Sequence, residues 1–104
     1  MSRLYVVSKG AAADLRGITK YTVAKWGEAQ CRAYVAELEM AAEAVANGEG
    51  LFKDMSFLLP GLRMAFCGKH CIFCMPQRGA APPIILAILH ERMDLMARLK
   101  SRLR

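Results

Sequence analysis

The sequence is 104 residues long, 55% hydrophobic, and carries a formal net charge of +6, which fits one domain over residues 1–104 with a modest core. The longest apolar stretch, Ala80 to Leu89, is broken by Pro82-Pro83 and is half a membrane span, and the first ten residues hold too short an apolar run for a signal peptide. No membrane contact is therefore expected, and the cytoplasm is the expected compartment. Residues 1–52 balance at six basic and six acidic, while residues 53–104 carry nine basic against three acidic, a field that favours an anionic partner.

Leu4-Tyr5-Val6-Val7 is a short β-type run and the expected first strand. Ser8 offers a hydroxyl as N-cap for a helix from Lys9 to about Trp26, with Ala11, Leu15, Ile18 and Thr22 at helical spacing. Gly27 breaks the pattern. A second helix then starts near Glu28 with a core stripe of Cys31, Tyr34, Val35, Leu38, Ala41, Ala42 and Val45, and Asn47-Gly48 ends it. The short connection predicts an antiparallel helical hairpin. Trp26 is expected to pack at its turn.

Glu49 to Leu59 reads as a loop with one helical turn near Asp54-Met-Ser-Phe, and Pro60-Gly61 as a turn. Leu62 to Cys67 and His70 to Met75 form a hairpin around Gly68-Lys69. After a proline-rich loop over 76–83, Ile84 to Leu89 is apolar throughout, as a strand buried on both faces would be. Arg92 to Arg104 reads as a last helix, with Met93, Met96, Leu99 and Leu103 on one side and Arg98, Lys100, Arg102 and Arg104 on the wet face. The order is β-α-α-β-β-β-α, an α+β fold in which a helical hairpin packs on a small antiparallel sheet.

Cys71-Ile-Phe-Cys74 has the spacing of a zinc or redox motif. It lies in a predicted strand, however, where alternation points the two thiols to opposite faces, so neither a metal site nor a cofactor is expected. A disulfide between Cys67 and Cys71 is not expected in a reducing compartment.

Several motifs, in order and at matching spacing, resemble the ParE branch of the RelE/ParE toxins of bacterial toxin–antitoxin pairs. These are the opening strand through Ser8 into an Ala/Asp/Leu helix; Tyr21, Trp26-Gly27 and Ala29-Gln30; Tyr34 and Leu38; Pro60-Gly61-Leu62-Arg63; Gly68-x-His70-x-Ile72-Phe73; and His90-x-Arg92-Met93-Asp94. The resemblance covers nearly the whole chain. It implies a toxin that inhibits DNA gyrase without catalysis. It also implies a cognate antitoxin whose disordered C-terminal part wraps the toxin in a hetero-oligomer, and no direct sequence-specific nucleic-acid binding. The expected target or antitoxin contacts are Arg63, Lys69, His70, His90, Arg92, Met93, Met96, Arg98 and Leu99.

RelE-like relatives instead cut mRNA on the ribosome, which needs a base for the 2′-hydroxyl and cations for the phosphate. In that alternative His90 would be the base, with Arg63, Lys69 and Arg92 on the phosphate. The strand Ile84-Ile-Leu-Ala-Ile-Leu89 holds no cation, and Ala87 falls where relatives often carry arginine, which favours the gyrase reading. A third reading is a toxin fold that has lost toxicity and serves only in its complex. Against these stand plainer roles: His90 bonding a nearby backbone group, and Asp94 placed by the helix dipole in the first turn of the last helix.

Overall fold

The computed structural model describes residues 5–103, so Leu4 and Arg104, assigned above to the first strand and last helix, lie outside it. Strand β1 is only Val6–Val7, because Ser8 turns the chain into α1 (Lys9–Trp26). The Ser8 hydroxyl accepts from the Ala11 amide at 3.0 Å, satisfying one of the unpaired donors of the first turn. Gly27 separates α1 from α2 (Glu28–Ala46). Ala11, Ile18 and Thr22 of α1, and Cys31, Leu38, Ala42 and Val45 of α2, are buried as their spacing predicts.

The sheet has five strands in the order β1-β5-β4-β3-β2, with β2 Lys53–Asp54, β3 Arg63–Cys67, β4 His70–Met75 and β5 Ile84–His90. Two sequence expectations are corrected here. β1 and β5 run parallel, so the sheet is mixed; the helical hairpin and three strands between them allow the long crossover that parallel pairing needs. Segment 49–59 is also not wholly loop. Lys53 and Asp54 pair with Met64 and Arg63, and the expected turn follows them: the Leu58 and Leu59 amides donate to Met55 O at 2.9 and 3.4 Å, and the Asp54 carboxylate accepts from the Ser56 amide at 2.9 Å.

Both faces of the sheet are covered. Ala65, Ile72, Cys74, Ile85 and Ile88 face α1 and α2. Met64, Cys71, Phe73, Leu86, Ala87 and Leu89 face the opposite way, under Met55, Leu62 and Leu99. Cys71 and Cys74 thus sit in different cores, as strand alternation requires, and burial pushes the Cys74 thiol up to about 11. The last helix, α3, spans Leu95–Arg102 and starts three residues later than the sequence suggests. Asp94 is its N-cap, accepting from the Ala97 amide at 3.2 Å. Of the apolar residues expected on it, Leu99 is buried, whereas Met96 on the helix and Met93 ahead of it are exposed.

Arg102 does not lie on the wet face. Its guanidinium forms a two-pronged pair with Asp14 of α1, at 2.9 and 3.1 Å, and donates to the Leu86 carbonyl at 2.9 Å. Leu86 is a bulge in β5, since Phe73 pairs with Ala87 and Cys74 with Ile85, leaving Leu86 unopposed. The Ser8 hydroxyl also donates to Leu86 O at 3.1 Å, and Asp14 accepts from the Ile88 amide at 3.0 Å. Gly10 leaves room for this contact, because a Cβ there would lie 2.7 Å from the Arg102 side chain.

Both members of this pair are mostly shielded from water, so loss of either should be felt. Asp14→Ala strands the Ile88 amide as well as the guanidinium and is expected to cost about 2–3 kcal/mol, against roughly 1–2 kcal/mol for Arg102→Ala. Urea unfolding of the two single variants and the double variant tests this. Strictly additive losses would show that the pair is not coupled.

Candidate functional site

The sequence-predicted site residues divide into four groups. Lys69, His70, His90, Arg92 and Met93 gather along one cleft. Arg63 lies at the other end of the sheet: it pairs with Cys74, whereas His70 pairs with Cys67 and His90. The Arg63 guanidinium donates to the Val45 carbonyl at 3.1 Å and lies over the Phe52 ring at 5.0 Å, where a cation suits the C-terminal end of α2. Leu99 is only 1% exposed in the lower core, which corrects its assignment as a contact residue. Met96 and Arg98 are exposed on α3, away from the cleft.

The cleft, of about 1100 Å³, runs between α1 and the end of the sheet formed by Ile88–His90 and the Gly68-Lys69 turn. Local hydrogen bonds fix that end. The Glu91 amide donates to Lys69 O at 2.8 Å, and the Met93 amide to His90 O at 3.0 Å. The Arg92 amide donates to His90 Nδ1 at 3.1 Å, so neutral His90 carries its proton on Nε2. The plain reading of His90, a bond to nearby backbone, is thus met, although its ring still lines the cleft.

Tyr34 of α2 reaches the cleft floor. Its hydroxyl lies 2.6 Å from His70 Nδ1 and 3.1 Å from Cys67 O. The carbonyl can only accept, so both contacts are satisfied together when the hydroxyl donates to Cys67 O and accepts from His70 Nδ1–H. Neutral His70 then presents its basic lone pair at Nε2. The His70 and His90 rings meet edge to face, with centroids 5.3 Å apart. Burial, and then the neighbouring His90, hold the His70 pKa below its ordinary value, and Glu91 opposes both. Burial raises the Tyr34 pKa. Gly68, at φ +57°, permits this packing, since a Cβ there would lie 2.7 Å from the Tyr34 ring and hydroxyl.

The cleft rim holds residues that sequence reasoning passed over. Trp26 does not pack into the helical turn; it is 63% exposed, and Tyr21 is 61% exposed. Lys25 Nζ lies 5.6 Å from the Tyr21 ring centroid and 5.5 Å from that of Trp26, and donates to the Tyr21 hydroxyl at 3.1 Å. The Tyr21–Lys25 spacing of four residues was the available signal.

Because His70 holds its proton less tightly folded than unfolded, the unfolded chain binds more protons just below the ordinary value of about 6.5. The stability it contributes is complete above that value and is lost as pH falls through the folded pKa. The melting midpoint should drop from about pH 7 to about pH 5, and less steeply in His70→Gln. Equal slopes in both proteins would refute the assignment. Gly68→Ala should displace Tyr34 and strain the turn, costing about 1–3 kcal/mol in urea unfolding.

Comparison with known proteins bears on what this cleft belongs to. Residues 5–95 match the family described as ParE toxin of type II toxin-antitoxin system, parDE. The chain is 55% identical over 100 residues to "Toxin ParE" of Escherichia coli, covering 96% of each. It is 32% identical over 95 residues to "Toxin ParE1" of Caulobacter vibrioides, covering 91% of this chain and 96% of that one. The fold is similar to that of a solved chain of the "Chromosomal ParDE TA system from P. aeruginosa", with a TM-score of 0.61 at 20% identity, over 86% of this chain and 98% of that one. With matches that run nearly from end to end, this chain belongs to the ParE family of toxins of type II toxin–antitoxin systems.

Proposed function

We propose that this ParE-family chain is a single-domain cytoplasmic toxin that inhibits DNA gyrase by binding it, without catalysing a reaction, and is neutralised by a cognate antitoxin in a hetero-oligomer. The observation that carries the toxin reading is the near full-length identity of 55% to a named ParE toxin. Binding is favoured over mRNA cleavage because one of the four groups proposed for cleavage stands apart from the others. His90, Lys69 and Arg92 share the cleft, but Arg63 is committed to the end of α2. No helix among the described residues is long and apolar enough to cross a membrane, which is compatible with the cytoplasmic reading.

The antitoxin reading draws support from the solved toxin–antitoxin neighbour and from the surface itself. Tyr21, Trp26, Met93 and Met96 are exposed, and β2 covers only Arg63 and Met64 along the outer edge of β3. A disordered acidic tail would cover such apolar side chains, and an extended one could add to that edge. For the gyrase target, exposed Met96 and Arg98 on α3, with Lys69, His70, His90, Arg92 and Met93 at the cleft, form the proposed contact set.

Plasmid supercoiling by purified gyrase tests the proposal. The chain should abolish supercoiling and cause cleaved DNA to accumulate, and an inert chain would refute the gyrase target. Arg98→Glu should raise the concentration for half inhibition by about tenfold, as loss of a contact worth roughly 1.4 kcal/mol would. His90→Gln should weaken inhibition only partly. If His90→Gln instead abolished a ribosome-dependent mRNA cleavage by the wild-type chain, the endonuclease reading would replace this one.

A further inference from the structure

The cleft combines two features that neither a gyrase contact nor an antitoxin groove requires together. The first is a set of aromatic rings along the cleft. Tyr21 and Trp26 stand at the rim, each more than 60% exposed, and Tyr34, His70 and His90 continue inward with ring centroids 5.6 and 5.3 Å apart. The second is an excess of positive charge. Lys25, Lys69 and Arg92 line the cleft, Glu91 stands beside it, and among the described residues the one carboxylate that lines it, Asp14, is consumed by Arg102 and the Ile88 amide.

We propose that this cleft binds single-stranded nucleic acid, with Tyr21 and Trp26 stacking on bases and Lys25, Lys69 and Arg92 meeting phosphates. Rings beside cations are the chemistry of strand binding without sequence preference, because every base has a π-face and every nucleotide a phosphate. Lys25 is suited to this role, since its ammonium is already held over both rim rings. A duplex is the poorer fit. Reading its major groove requires a projecting helix or ribbon, whereas α1 here forms one wall of a concavity. An acidic peptide is the competing occupant of the same rim, and poly-glutamate in the titration below separates the two. Stacking of this kind is also compatible with the absence of sequence-specific recognition expected from the sequence. The proposal does not rest on gyrase being the target.

Trp26 is the only tryptophan in the chain, so its fluorescence reports on the site directly. The full-length protein, purified without a partner, is titrated with oligo(dT), oligo(rU) and poly-glutamate. Both oligonucleotides, or one of them, should quench Trp26 saturably; a difference between them would identify DNA or RNA as the occupant. Three phosphate contacts give an expected slope of log K against log salt of about −2, reduced by roughly 0.7 in Lys69→Gln. Tyr21→Ala should weaken binding about tenfold or more, Tyr21→Phe should restore it, and Phe66→Ala, which removes an exposed ring elsewhere, should leave it unchanged. Absence of quenching by either oligonucleotide overturns the proposal. So does equal quenching by poly-glutamate, which would mark the cleft as a protein site, or binding indifferent to Lys69→Gln and Tyr21→Ala.

Discussion

A strand that outruns its neighbour leaves peptide groups that must find partners, and β5 outruns β1 by most of its length. β1 stops at Val7 and pairs only with Ile84 and Ile85. Beyond that point Leu86 O and Ile88 N face α1 across no strand. An unpaired buried peptide group costs about 1–3 kcal/mol, so the edge has to be closed by side chains. Ser8, Asp14 and Arg102 close it, and they come from the start of α1, the middle of α1 and the end of α3. One hydrogen-bonded cluster therefore ties the start and body of α1 and the end of α3 to β5.

The bulge at Leu86 belongs to the same arrangement. It turns two successive side chains, Leu86 and Ala87, toward the lower core and aims the Leu86 carbonyl outward, where a guanidinium can reach it. Docking of Arg102 on that carbonyl seats Leu99 under the sheet and fixes the path from His90 to Asp94. Three of the five residues of that path, His90, Arg92 and Met93, line the cleft.

The cleft is open and lined by rings and cations, with its carboxylate already neutralised. Such a surface suits a partner that is extended and anionic better than a small enclosed substrate. Tyr34 illustrates how its floor is kept rigid: one hydroxyl joins α2 to the β3–β4 turn and orients His70, and Gly68 makes the approach possible. Such rigidity favours association with a partner, because every side chain ordered in advance is one whose freedom is not lost on binding.

Local rules carried the sequence far. Helical spacing of Ala11, Ile18, Leu38 and Val45, the capping hydroxyl of Ser8, the turn at Gly68-Lys69 and the unbroken apolar run of β5 each depend on neighbours in the chain, so the helical hairpin and the three main strands could be read directly. The opposite facing of Cys71 and Cys74 followed from alternation alone. The order of elements and their motifs further identified the family. Other features were set by groups far apart in sequence. Lys53 and Asp54 are polar and become a strand only because β3 offers its edge. Arg102 looked like a surface cation until Asp14, 88 residues away, removed it from water. Arg63 and His90 carry similar promise in sequence, yet register puts them at opposite ends of the sheet. Tyr34 and Trp26 both read as packing residues, and only the meeting of the helical hairpin with the β3–β4 turn left one reaching a histidine and the other facing solvent. Sequence by itself determined what each segment becomes, because propensity and periodicity are local. Only the tertiary structure decided which charges are spent internally and which remain for a partner, because that depends on contacts closed across the whole chain.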